Sequence, residues 1–142
     1  MTERPDLFGA VIINVGIINM VRAETGFNGA NNTKEFGTVK NKEEFDALLE
    51  MDSYHHIQKG VKYPSTLIIT GMNDARVPPW HSGKFFAKLQ GFNTSTNPIL
   101  LKVKFKDGHL TTNSKQKKLD NNADIITFAL QHTGHPDYQP EN

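Results

Sequence analysis

Cysteine is absent from the 142 residues, which excludes thiol nucleophiles, disulfides and thiolate-bound metals but leaves a cytoplasmic or a periplasmic setting equally open. Excess charge of one sign is also lacking: 16 basic residues face 15 acidic ones, for a formal charge of +1. No field of that size argues for nucleic acid or an anionic membrane as a partner. No apolar run approaches the ~18 residues of a membrane-spanning helix, and the opening Met1-Thr2-Glu3-Arg4-Pro5-Asp6 is polar. The expectation is a soluble chain with neither signal peptide nor anchor. Repeats, low-complexity tracts and phosphate-cradling glycine motifs are missing too. At this length roughly two-thirds of the unfolded surface can be buried, enough for one globular unit.

Three short apolar runs rich in β-branched residues stand out: Ala10 to Val15, Thr66 to Thr70 and Ile99 to Phe105. Each is bounded by Gly, Pro or Asn and reads as a strand. Helical spacing appears in Lys42 to Met51 (Phe45, Leu48, Leu49), Pro79 to Gln90 (Phe85, Phe86, Leu89) and Leu119 to His132 (Ile125, Ile126, Ala129, Leu130). Strands alternating with helices predict an α/β fold with three parallel strands, because parallel neighbours need crossover connections. The first two runs are apolar on both faces, as sheet interiors are. The third places Lys102 and Lys104 on one side, which suits an edge. Met20 to Asn41 holds Gly26, Gly29, Gly37 and several Asn with little periodicity. It reads as a long loop, of the kind that is often functional. Residues 1–133 form the expected domain; 134–142, with Pro136 and Pro140, are expected to be a flexible tail.

Ligands of open parallel sheets bind beyond the carboxyl ends of the strands. Two loops leave such ends with chemistry in them: Gly71 to Pro78, carrying Asp74, and Lys106 to His109. A carboxylate and an imidazole leaving adjacent strands can meet, and a histidine-orienting aspartate needs that geometry. On pattern alone the bland readings stay open: Asp after a strand is most often a turn former or helix cap, and Gly-His is often only a loop. The adjacent pair His55-His56 cannot converge on one metal in regular structure, and no metal or cofactor is expected.

The motifs around these residues resemble the prolyl oligopeptidase family of serine peptidases over Arg4 to about Leu130. Arg4-Pro5-Asp6-Leu7-Phe8-Gly9 is similar to the segment that follows the family's nucleophile helix, and Tyr63 to Gly71 to the strand that delivers the catalytic acid. Asn73-Asp74-Ala75-Arg76-Val77, followed by Pro79, His81-Ser82 and Lys84-Phe85, is similar to the family's Asp-x-Arg-Val motif and its helix. The resemblance implies the C-terminal part of an α/β-hydrolase catalytic domain, with Asp74 as triad acid and His109, in Gly108-His109, as general base. It implies Arg76 as the arginine that holds a substrate carbonyl, and Ile17, Phe36 and Val77 as pocket residues.

The departures are specific. No Gly-x-Ser-x-Gly elbow exists in the sequence, and Ser53, Ser65, Ser82, Ser95 and Ser114 sit in other contexts, read as caps, turns or surface residues. The β-propeller half is expected to be absent. Ungapped alignment from Ile17 to Phe36 puts Asn32 where prolyl-specific members stack a tryptophan on proline, and Leu110 follows His109 where a small residue is common. The expectation is therefore a fragment of a serine-type endopeptidase or oligopeptidase, inactive alone for want of its nucleophile. The alternative is a non-catalytic piece that self-associates, or docks the rest of the domain, through an exposed sheet edge; a lesser one is an esterase of the same fold.

Overall fold

A computed structural model describes residues 1–109 and 114–140 of the chain. The strands β1 (Ala10–Asn14), β2 (Ser65–Gly71) and β3 (Ile99–Lys104) form one parallel sheet in the order β1-β2-β3. Between β1 and β2 lie α1 (Gly29–Phe36) and α2 (Lys42–Glu50), while α3 (Trp80–Phe92) joins β2 to β3 and α4 (Lys115–His132) follows β3. This is the expected portion of an α/β-hydrolase sheet, with strands alternating with helices.

The central strand explains the layering. Every residue of β2 is buried, and its side chains alternate between two cores. Ile68 joins Ile18, Phe85, Leu89 and Ile99 under α3. Leu67 and Ile69 face Phe128 of α4. β1 is hydrogen-bonded to β2 alone among the described residues, so its far edge is open. β3 is the other edge, where Lys102 pairs with Asp124 of α4.

Several boundaries differ from the sequence expectation. Val15 lies outside β1 because its φ of +50° turns the chain there, an unfavourable backbone for a β-branched residue. α4 starts at Lys115, a turn earlier than the apolar periodicity begins. The larger correction concerns the supposed loop from Met20 to Asn41, which contains a 3-10 segment (Met20–Thr25) and α1. Side-chain amides hold this region where an apolar stripe is wanting: Asn31 Nδ2 donates to Asn28 Oδ1 (2.7 Å) and the buried Asn32 donates to the Ala23 carbonyl (3.1 Å). Gly37, at φ +95°, ends α1 in a conformation that favours glycine. Asp52, fully buried, ties the 3-10 segment to the following turn by accepting the Val21 N–H (2.9 Å) and the His55 N–H (3.0 Å). Of the tail, Pro136–Tyr138 forms a 3-10 turn and Gln139 Nε2 donates to the Gln131 carbonyl at 3.1 Å.

His81, at the start of α3, is 2 % exposed and stacks on Trp80 at 3.8 Å. Burial pushes its pKa from 6.5 down to about 4, Lys84 in the same direction, while Asp52 opposes them. The fold therefore holds the neutral ring, and between pH 6.5 and about 4 the unfolded chain binds a proton that the folded chain refuses. Stability is expected to fall as pH drops through that window, by about 3 kcal/mol from this residue. Urea unfolding of the parent and of His81→Leu across the range checks it: the variant should show a flatter dependence, and equal slopes would refute the assignment.

Candidate active site

The site is assembled by the parallel pairing of β2 with β3, which runs in register from Thr66↔Ile99 to Gly71↔Lys104. Both strands consequently discharge their loops at the same end. The loops are joined at once: the Met72 N–H donates to the Lys104 carbonyl (3.0 Å) and the Asn73 N–H to the Asp107 carbonyl (3.1 Å). Gly71 permits this approach, because a Cβ there would sit 2.5 Å from the Gly108 carbonyl oxygen and 2.7 Å from that of Asp107.

Asp74 is 4 % exposed, and both its carboxylate oxygens are engaged. Oδ1 accepts the N–H groups of Arg76 and Val77, each at 2.9 Å, which makes Asp74 the former of its own turn as well. Oδ2 faces Nδ1 of His109 at 2.8 Å. A carboxylate can only accept here, so the His109 Nδ1 carries the proton and donates. The imidazole side chain is 22 % exposed, the carboxylate 0 %, so the ring reaches solvent while its partner does not.

Ile17, Asn32, Phe36, Arg76 and Val77 line one cavity of about 300 Å³ together with His109. Val15, Asn28 and Glu35 complete the wall and were not singled out from sequence. The signal was there once α1 is recognised as a helix: Asn28, Asn32 and Glu35 are spaced at i, i+4 and i+7, one face. No serine lines this cavity among the described residues. Ser65 and Ser82, expected as caps, turns or surface residues, are instead buried, at 4 % and 1 % exposure, as interior polar groups. His55 and His56 face carboxylates, Asp52 at 3.0 Å and Glu3 at 2.9 Å. Leu110, whose size bears on the histidine loop, lies outside the described residues.

The contact at Gly71 yields a test. In Gly71→Ala the added methyl must displace the 107–108 backbone, so the hydrogen bond from His109 to Asp74 should be lost, with a destabilisation of about 1–3 kcal/mol. The downfield proton resonance of His109 Nδ1 is the readout; its persistence in the folded variant would disprove the coupling.

The model of the prolyl oligopeptidase family matches residues 1–136. The prolyl endopeptidase of Elizabethkingia meningoseptica is 37% identical over 135 residues, 94% of this chain and 19% of the relative. That of Dictyostelium discoideum is 35% identical over 130 residues, 89% of this chain and 17% of the relative. Among solved structures, a prolyl endopeptidase superposes with a TM-score of 0.87 at 32% identity, covering 92% of this chain and 19% of the other. Prolyl oligopeptidase B from Galerina marginata, bound to a 35mer hydrolysis and macrocyclization substrate, gives a TM-score of 0.83 at 28% identity, covering 89% of this chain and 18% of the other. The chain thus spans about a fifth of the length of the curated relatives it matches. Agreement of sequence and fold over nearly all of its residues means that this chain belongs to the prolyl oligopeptidase family of serine peptidases.

Proposed function

We propose that this chain supplies the acid and the histidine of a serine peptidase centre whose attacking hydroxyl comes from outside these 142 residues. The observation that carries the reading is the 2.8 Å contact between His109 Nδ1 and Asp74 Oδ2 at the carboxyl end of the sheet. Asp74 fixes the tautomer that leaves Nε2 free to accept a proton, and it stabilises the imidazolium that results. His109 takes the serine proton as the hydroxyl oxygen bonds to the scissile carbonyl carbon. It then delivers that proton to the departing amine, and water releases the acyl group by the same relay. Arg76, exposed beside the pocket, binds a backbone carbonyl of the peptide. Ile17, Asn32, Phe36 and Val77 form the wall that receives the side chain next to the cleaved bond, with an amide where prolyl-specific enzymes stack an indole.

The open edge of β1 favours a second reading for the chain on its own. Its unpaired N–H and C=O groups, beside an apolar groove of about 400 Å³ lined by Val11, Ile13, Phe8 and Phe85, suit docking of the remaining domain or of another copy. Sedimentation velocity separates the possibilities: self-association that a proline in β1 abolishes supports the edge, and a strict monomer at high concentration counts against it.

The isolated chain should neither hydrolyse peptides nor react with a fluorophosphonate; stoichiometric labelling of any of its serines would overturn the reading. In a polypeptide that includes the nucleophile, Asp74→Asn should lower kcat by about four orders of magnitude with substrate binding largely retained. A loss of less than tenfold would remove Asp74 from the relay.

A further inference from the structure

Six histidines occur in the sequence, and the structure leaves one of them equipped to attack an electrophile itself. His81 is buried. His56 has both ring nitrogens occupied, Nδ1 by Glu3 at 2.9 Å and Nε2 by the Leu49 carbonyl at 3.1 Å. Nδ1 of His135 accepts the Asp137 N–H at 3.4 Å. His132 lies against the Phe128 ring, with no carboxylate within ion-pair distance among the described residues. His55 does approach a buried carboxylate, Asp52, at 3.0 Å, but the oxygens of Asp52 already accept the N–H groups of Val21 and of His55 itself. His109 differs on three counts. Its Nδ1 donates at 2.8 Å to Asp74 Oδ2, an acceptor with no exposed surface and no other proton on that oxygen. With the proton fixed there, the lone pair of Nε2 is free, and no described group bonds that nitrogen. The ring also lines a cavity, together with Arg76 and the apolar Val15, Ile17, Phe36 and Val77, so a small ester has a way to it.

We propose that the 142-residue chain is by itself an acyl-transfer catalyst toward activated esters, with His109 Nε2 as the nucleophile and aryl esters of short carboxylic acids as the substrate class. The Nε2 lone pair bonds to the ester carbonyl carbon, and the carbonyl pair moves onto oxygen, where Arg76, the cation of the same cavity, offsets the charge. Collapse of this adduct breaks the C–O bond and expels aryloxide. The acyl-imidazolium left behind keeps its Nδ1 proton on Asp74, whose buried carboxylate stabilises the positive ring. Water then adds to the acyl carbon, its spare proton goes to the aryloxide, and the C–N bond breaks with its electron pair returning to Nε2. Ester and water have become acid and phenol, and the histidine is regenerated. Peptides stay intact in this chemistry, because an amine is a poorer leaving group than imidazole and the adduct reverts. The inference needs the contact of His109 with Asp74 but not the assignment of the chain to a peptidase centre, where the attack belongs to a serine and His109 carries only its proton.

Hydrolysis of p-nitrophenyl acetate by the full chain tests this at about pH 7, where an ordinary lysine amine is protonated and competes little. His109 should react about tenfold faster than the imidazole of N-acetylhistidine, the effect of ~1.4 kcal/mol at the transition state. On that scale His109→Ala should remove roughly two-thirds of the chain's rate, whereas His55→Gln should change it little. Asp74→Asn, which takes away the charge but not the shape, should reduce His109 to an ordinary imidazole. Unfolding the parent in urea keeps all six histidines but dissolves the contact, so it should produce a comparable loss even where a variant fails to fold. Phenolate release should continue well beyond one equivalent per chain; a halt at one would overturn catalysis. Rates in D2O close to those in H2O mark attack by nitrogen, and a marked slowing would make His109 a base for water and overturn its role as nucleophile. A parent no faster than its unfolded chain, or unchanged in His109→Ala, would overturn the proposal altogether while leaving the peptidase reading to the Asp74→Asn kinetics of a polypeptide that includes the nucleophile.

Discussion

Parallel pairing of β2 with β3 is the constraint on which the site depends. Had the strands run antiparallel, the Asp74 loop and the His109 loop would leave opposite ends of the sheet, separated by the length of the strands. With register maintained to Gly71↔Lys104, a carboxylate and an imidazole some thirty-five positions apart in sequence reach 2.8 Å. The helix that makes the parallel crossover possible, α3, supplies much of the core beneath it through Phe85 and Leu89. Fold energetics and site geometry therefore share the same few elements.

Asp74 does two jobs through two oxygens. Oδ1 closes the turn over Arg76 and Val77, and Oδ2 holds the imidazole. The bland sequence reading, a turn-forming aspartate, describes Oδ1, while the contact of Oδ2 with His109 is what the proposed chemical role rests on. Removing the Asp74 carboxyl outright would consequently open the turn beside Val77 as well as release the histidine, whereas an amide in its place keeps an oxygen for the turn and alters the contact with His109.

Strands were legible because each is a compact apolar run, and their order followed from alternation with helices. The Asp74 and His109 loops could be located because they follow strands, but their pairing was singled out by the resemblance of Asn73 to Val77 and of Gly108-His109 to family motifs, since pattern alone left turn and loop readings open. α1 was not, for a physical reason: Gly-Ala-Asn-Asn-Thr-Lys-Glu-Phe has no apolar stripe, and its helix is held by asparagine amides and a glycine stop that periodicity does not detect. The cost of missing it was local. Asn28 and Glu35 went unnoticed as wall residues, although Asn32 between them had been placed by resemblance. Val15 was assigned to β1 because a left-handed backbone at a β-branched residue leaves no trace in composition.

The tight seam at Gly71 bears on how such a chain can diverge. A side chain there meets main-chain oxygens of the neighbouring loop, not movable side-chain ends, so relief requires both segments to change course together. Insertions or deletions in the turn carrying the acid should be tolerated only alongside matched changes in the turn carrying the histidine. Variation at this end of the sheet is thereby steered into the cavity wall on α1, where substitutions reshape the cavity without disturbing the contact between His109 and Asp74.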